Sequence, residues 1–212
     1  EQGARQNSGS KVAVVPMTNT DIGLKSVVKG RPEGAPPMPL AGKLKLEPVV
    51  VARRPNAVLA LATSPWAPLV AVGGQKQVIL YNSDTGQLVG FIPFEHGQIN
   101  SITFSRNAKF LLVAGGKGGQ SGKAVLYKVE TGEKVLEVGI ENDAILAADI
   151  SADQTQIAVG SPNNLVRIYS TADGKVLHEI KKHTDWVCAV EYSPDGVLLA
   201  TGDRNGGVFV WE

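Results

Sequence analysis

From about residue 45 the chain alternates between short apolar runs and brief polar breaks rich in Gly, Asp, Asn and Ser. Four kinds of run recur in a constant order. The first ends in Ser: VLALATS, ITFS, ILAADIS and VCAVEYS. The second ends at a small or turn-forming residue: LVAVGG, FLLVAGG, IAVGS and LLATGD. The third carries an aromatic residue: VILYN, AVLYK, VRIYS and VFVWE. A TG or DG turn at Thr85-Gly86, Thr131-Gly132 and Asp173-Gly174 leads into the fourth, QLVGFIPF, EKVLEV and KVLHEI. Runs of about five residues joined by such turns predict antiparallel strands. Apolar residues fill nearly every position instead of alternating, which predicts sheets covered on both faces.

Two sets of landmarks fix the period. The closing serines Ser64, Ser105, Ser151 and Ser193 are spaced by 41, 46 and 42 residues. The aromatics Tyr81, Tyr127, Tyr169 and Trp211 are spaced by 46, 42 and 42. A repeat of about 42 residues, four strands each, predicts an all-β fold in which every unit is one blade of a β-propeller. Four units are expected over residues 45–212, the last without its fourth strand, as part of a larger ring of seven or eight blades. The second unit is longer by KGGQSG, Lys117 to Gly122, which predicts a longer loop between its second and third strands.

Residues 1–44 read differently. A polar Gly/Ser-rich start and the run GRPEGAPPMPLAG predict a linker or tail with extended character around Pro36 and Pro37. A short strand is expected at Val12–Val15. The segment Leu46 to Arg53 precedes the first unit where an outer strand would lie, and is expected to complete the last blade of the intact ring.

Charge adds a constraint. Lys and Arg total 21 against 20 for Asp and Glu, so no electrostatic surface calls for nucleic acid or anionic lipid. No apolar run approaches the roughly 20 residues needed to span a bilayer. The single cysteine, Cys188, cannot form an internal disulfide, a zinc finger or a C-x-x-C-H haem attachment within this chain.

The last unit, HTDWVCAVEYSPDGVLLATGDRNGGVFVWE, resembles a WD40 repeat. That resemblance implies a hydrogen-bonded chain from a His before the first strand to a Trp in the third, here His183, Thr201, Asn205 and Trp211. Asn205 stands where the family has Asp. The earlier units depart further, with Tyr81, Tyr127 and Tyr169 in place of Trp and His96-Gly97 in place of Gly-His. The wider pattern, SPWAPLVAVGGQKQVILYNSDTGQL through STADGKVLHEIKKHTDWV, resembles bacterial proteins in which such a propeller follows a c-type cytochrome-like domain. This implies an extracytoplasmic, periplasmic setting, with haem only in a fused domain outside this chain.

Other candidate chemistry fails on spacing. In GGKGGQSGK, Lys117 stands where a phosphate-binding loop needs its first Gly, Ala124 where it needs Ser/Thr, and a strand follows in place of a helix. His96, His178 and His183 lie in different units without a partner at metal-ligand spacing; His183 is expected to be structural and His178 solvated. The recurring serines fit turn hydroxyls, and no G-x-S-x-G elbow is present. Cys188, in an apolar strand, is expected to be a buried, inert thiol. Asp143, Asp149, Asp173, Asp185, Glu191, Asp195 and Asp203 are spread through the third and fourth units, and a carboxylate pair would have to converge across blades. Trp186, beside Asp185 and near the Arg204 turn, has the composition of a binding hot spot. The other reading of Trp186 is a plug at the blade edge.

These features predict a non-catalytic interaction or scaffold module of a larger protein, with a protein partner, no cofactor or metal in this chain, no nucleic acid and no membrane span. The alternative is an accessory propeller of an extracytoplasmic cytochrome-linked redox or hydrolytic enzyme.

Overall fold

A computed structural model describes residues 34–51 and 57–212. The strand expected at Val12–Val15, the start of the tail and Arg53 lie outside the described residues. Every element among the described residues is a β-strand. The first unit holds β1 (Leu61–Thr63), β2 (Leu69–Gly73) and β3 (Gln75–Asn82), followed by β4 (Leu88–Phe104). The second holds β5 (Phe110–Lys117), β6 (Ser121–Lys128) and β7 (Lys134–Glu141). The third runs β8 (Ala147–Ile150), β9 (Gln156–Gly160), β10 (Val166–Ser170) and β11 (Val176–Ile180). The fourth runs β12 (Val187–Tyr192), β13 (Leu199–Asp203) and β14 (Val208–Trp211). All pairings are antiparallel between neighbours in the chain.

The first two units share one continuous strand. The start of β4 pairs with β3 as the outer strand of the first blade, and its end pairs with β5 as the inner strand of the second. The seven strands β1 to β7 therefore form one curled sheet. The strand runs unbroken through FIPFEHGQIN, and Gly97, with a φ of 126°, bends it between its two roles.

The core lies between blades. Along β5, Leu111 and Val113 join a cluster with Leu69, Leu80 and Phe94 of the first blade, while Leu112 and Ala114 join Ile145, Ile150 and Ile157 of the third. Strand β6 divides likewise, Val125 and Tyr127 to one side and Ala124 and Leu126 to the other. Successive side chains of a strand point to opposite faces, so a strand apolar at every position feeds two cores. A third cluster joins Ala158, Val166 and Ile168 to Val187, Val190 and Leu199 of the fourth blade. This sheet-on-sheet stacking is that of a β-propeller segment. Burial on both faces does not extend to every strand: β11 is exposed over most of its length, and Val208 and Val210 of β14 are exposed.

Hydrogen bonds stitch the blades. Tyr127 Oη donates to Pro93 O at 2.7 Å and Tyr169 Oη to Gly139 O at 2.9 Å, each reaching back to the outer strand of the preceding blade. On the inner side, the buried carboxylate of Asp149 on β8 accepts the Tyr192 amide of β12 at 2.7 Å. Burial, opposed by the amides of Tyr192 and Ile150, pushes its carboxyl up from 3.8 to about 6. A folded-state pKa above the unfolded value means that folding favours the protonated acid. The contribution of this group is thus fully present below about pH 4 and is lost as pH rises through 6, by up to about 3 kcal/mol. Asp149→Asn removes that slope. Urea midpoints of both proteins from pH 4 to 7.5 should diverge with rising pH in favour of the variant; a constant difference would contradict this assignment.

The insertion Lys117 to Gly122 takes an unexpected form. Strands β5 and β6 stay paired out to Lys117↔Ser121, so the extra residues lengthen the hairpin and leave only 118–120 as its turn. Asp143 Oδ1 accepts the Gly119 amide at 3.2 Å and ties the tip to the connection into the third blade.

Candidate functional site

The fourth blade holds the one polar network predicted in detail, and one of its members is different. His183 Nδ1 lies 3.0 Å from Asp203 Oδ2, His183 Nε2 lies 2.8 Å from Thr201 Oγ1, and Trp211 Nε1 donates to Thr201 Oγ1 at 2.9 Å. Asp203, not Asn205, is the acidic member. Thr201 and Asp203 are two apart on β13 and so share a face, whereas Asn205 sits at the hairpin tip with its amide 3.4 Å from Thr184 Oγ1. That period of two was available in the sequence. The ends polarise the chain: an indole can only donate and a carboxylate can only accept. The imidazole therefore carries a proton on Nδ1 towards Asp203, and in the neutral ring the Thr201 hydroxyl donates to Nε2.

Asp203 also organises the β13–β14 turn. Its Oδ1 accepts the amides of Asn205 at 3.1 Å and Gly207 at 2.7 Å. The hydrogen bond from His183 and that from Gly207 hold its carboxyl below the usual range. The histidine and carboxylate side chains are almost fully enclosed, and Phe209 packs edge-on to the imidazole at 5.0 Å. Other blades lack this network because Val72, Ala114 and Val159 stand at the Thr201 position before the Gly.

On this rigid base sit the three residues predicted to bind. The Asp185 carboxylate accepts the Trp186 amide at 2.7 Å through one oxygen and Arg204 Nε at 3.2 Å through the other. The Arg204 guanidinium lies 4.4 Å above the Trp186 ring centroid, and its backbone amide donates to Trp186 O at 2.9 Å. Trp186 nevertheless remains 44% exposed. The loop before β12 and the turn after β13 thus hold each other, presenting an indole already sandwiched on one face. An ion pair this exposed adds little stability; its effect is to fix the two side chains.

The remaining candidates scatter. Cys188 is exposed, against expectation, on a face of the fourth blade where Ala189, Ala200 and Val208 are exposed too, and it sits where the β12–β13 register slips between Val187 and Ala189. Its Sγ lies 3.4 Å from Trp186 O. His178 is exposed on β11, and His96 Nε2 lies 3.5 Å from Glu137 on the outer part of the second blade. Ser105, Ser151 and Ser193 each donate to an Asn or Asp two residues on and accept an amide five residues on, which is turn chemistry. Ser64, followed by Pro65, instead accepts the Ala67 amide. Among the described residues no three His, Cys, Asp or Glu side chains gather as a metal site, and no helix is long and apolar enough to cross a membrane.

Comparison with known proteins agrees with this geometry. Residues 174–212 match the family described as WD domain, G-beta repeat. The match begins in the turn before β11, the outer strand of the third blade, and ends just after β14, so the sequence repeat straddles two sheets. The chain is 32% identical over 150 residues to rat apoptotic protease-activating factor 1, covering 71% of this chain and 12% of the relative. It is 28% identical to rat WD repeat-containing protein 1, covering 61% and 22%. It is 34% identical to a 66 kDa stress protein of Physarum polycephalum, covering 38% and 14%. The chain thus spans less than a quarter of these relatives' lengths. Residues 174–212 are a WD40 repeat, and the chain that carries them is a β-propeller segment similar in sequence to WD-repeat proteins.

Proposed function

We propose that this chain is a non-catalytic protein-interaction module, a scaffold whose partner docks on the face formed by Trp186, Arg204 and Asp185. One observation carries the reading: an indole that is 44% exposed yet already ordered by a stacked guanidinium. Ordering an exposed side chain before binding lowers the entropic cost of association, and Trp and Arg dominate the residues that supply binding energy. The polar network beneath makes the platform rigid. The similarity to WD-repeat proteins supports the same class of function.

Two variants separate surface from scaffold. Trp186→Ala should change unfolding stability by about 1 kcal/mol or less, as surface changes do, while weakening partner binding by about 2–4 kcal/mol. Trp211→Ala removes a half-buried indole and leaves Thr201 without its donor, and should cost about 3 kcal/mol of stability. Denaturant unfolding of both, with partner capture from an extract of the source organism, is the measurement. Equal destabilisation by the two variants would make Trp186 a structural plug. For the whole protein we propose the setting that the sequence resemblance implies, an extracytoplasmic protein with a c-type cytochrome-like domain. A C-x-x-C-H upstream of Glu1 is the observation that tests it.

A further inference from the structure

A segment ahead of the first blade is held against the propeller rim by a small set of specific contacts. Leu44 is buried in the cluster that joins the first two blades, with Met38 packed beside it. Its seat is built from glycine. A Cβ on Gly90 would stand 2.6 Å from Leu44 Cβ, and a Cβ on Gly132 would stand 2.5 Å from Leu44 Cδ2. The other contacts read backbone. Leu40 donates its amide to Glu130 O at 2.8 Å, and Lys45 O accepts the Phe91 amide at 2.8 Å in a single antiparallel bridge to β4. Gln77, buried at the start of β3, accepts the amides of Val49 at 2.7 Å and Val50 at 3.1 Å through Oε1, and donates to Val50 O at 3.0 Å through Nε2. Meanwhile Leu40, Leu46, Val49 and Val51 point outward.

We propose that residues 37–50 are a peptide ligand held in cis, and that the rim groove beneath them is a docking site for an extended peptide carrying one leucine. The division of labour is that of strand-addition recognition, where main-chain bonds supply affinity and a pocket selects one side chain. A glycine-walled hole takes the leucine. The β4 edge takes the extended backbone that follows, and the Gln77 carboxamide takes a peptide unit five to six residues on. The strap itself has few anchors compared with the blades, so it opens locally while the sheets stay closed. A competing peptide therefore meets a formed site each time the strap lifts.

The test uses the full chain and a labelled synthetic peptide of residues 36–50, PPMPLAGKLKLEPVV. In the chain, Leu44→Asp removes the anchor in cis. Fluorescence anisotropy should show the peptide binding this variant at least tenfold more tightly than the wild-type chain. The same peptide with Leu44→Asp should bind neither. Equal affinity for both chains, or no binding to the variant, overturns the proposal. Should the variant not fold, hydrogen exchange of the wild-type chain decides the matter. The amides of Val49, Val50 and Phe91 should exchange at least a hundredfold faster than that of Val113 in β5. Exchange at the Val113 rate would mean the segment leaves only on global unfolding, and would equally overturn it.

Discussion

Replacing Phe94 with alanine is expected to lower the free energy of unfolding by about 3–5 kcal/mol, the range for emptying a buried aromatic site. Phe94 is the bulkiest of the fully buried side chains among the described residues. It sits on β4 just before the Gly97 bend, where one strand passes from the first blade to the second, and its ring meets His96 edge-on at 5.3 Å. The cavity would open within the cluster shared by Leu69, Leu80, Ile99 and Val113, whose backbones belong to one hydrogen-bonded sheet. Such a site collapses poorly, so the upper half of the range is expected. Urea unfolding followed by circular dichroism measures it. A loss below about 1.5 kcal/mol would mean that the two blades do not share a packed core.

A single added methyl group should act almost as strongly at Gly115. Its Cβ would lie 1.9 Å from Gln98 O and 3.0 Å from Ile99 Cα, both backbone atoms of the paired strand. No side chain can swing aside, so the β4–β5 ladder itself must shift, and Gly115→Ala should cost about 3 kcal/mol, the upper end for forced overpacking. Gly118, three residues on at the hairpin tip, is the control. Only Asp143 Oδ1 at 3.9 Å lies near its would-be Cβ, and Gly118→Ala should stay within about 0.5 kcal/mol of wild type. The two variants unfolded in parallel give the answer; similar midpoints would deny the close strand approach that the register requires.

Gly115 also shows why so much of the fold can be read in the chain. The second run of its unit ends at a Gly pair, a break visible without any structure, and the clash explains why no side chain is tolerated there. Each of the fifteen runs read in the sequence falls on a strand or part of one, because a strand buried on two faces is apolar throughout while its turns need φ above zero, as at Gly86, Gly132 and Gly174. What escaped was set by register or by long-range contact. The face that Cys188 takes depends on how β12 pairs with β13, which slip at this residue. The merger of two blades along β4 depends on Gly97 bending one strand without breaking it. The seat of Leu44 is walled by Gly90 and Gly132, 46 and 88 residues away, while composition around it reads only as Pro/Gly-rich tether. The Trp186 site was partly legible, since three suitable residues stand near each other in the chain. Their mutual stacking is a property of the loop and the hairpin turn together.

The measurement closest to the central claim is site-directed cross-linking on the two exposed sides of the propeller segment. A photo-reactive phenylalanine analogue is placed at position 184, exposed in the loop beside Trp186, or at position 135 on the exposed outer strand β7, and each protein is irradiated in an extract of the source organism. A protein-interaction face at Trp186 predicts a discrete adduct from position 184, lost when Trp186→Ala is added, and none from position 135. The same adducts from both positions, or none from position 184, would contradict it.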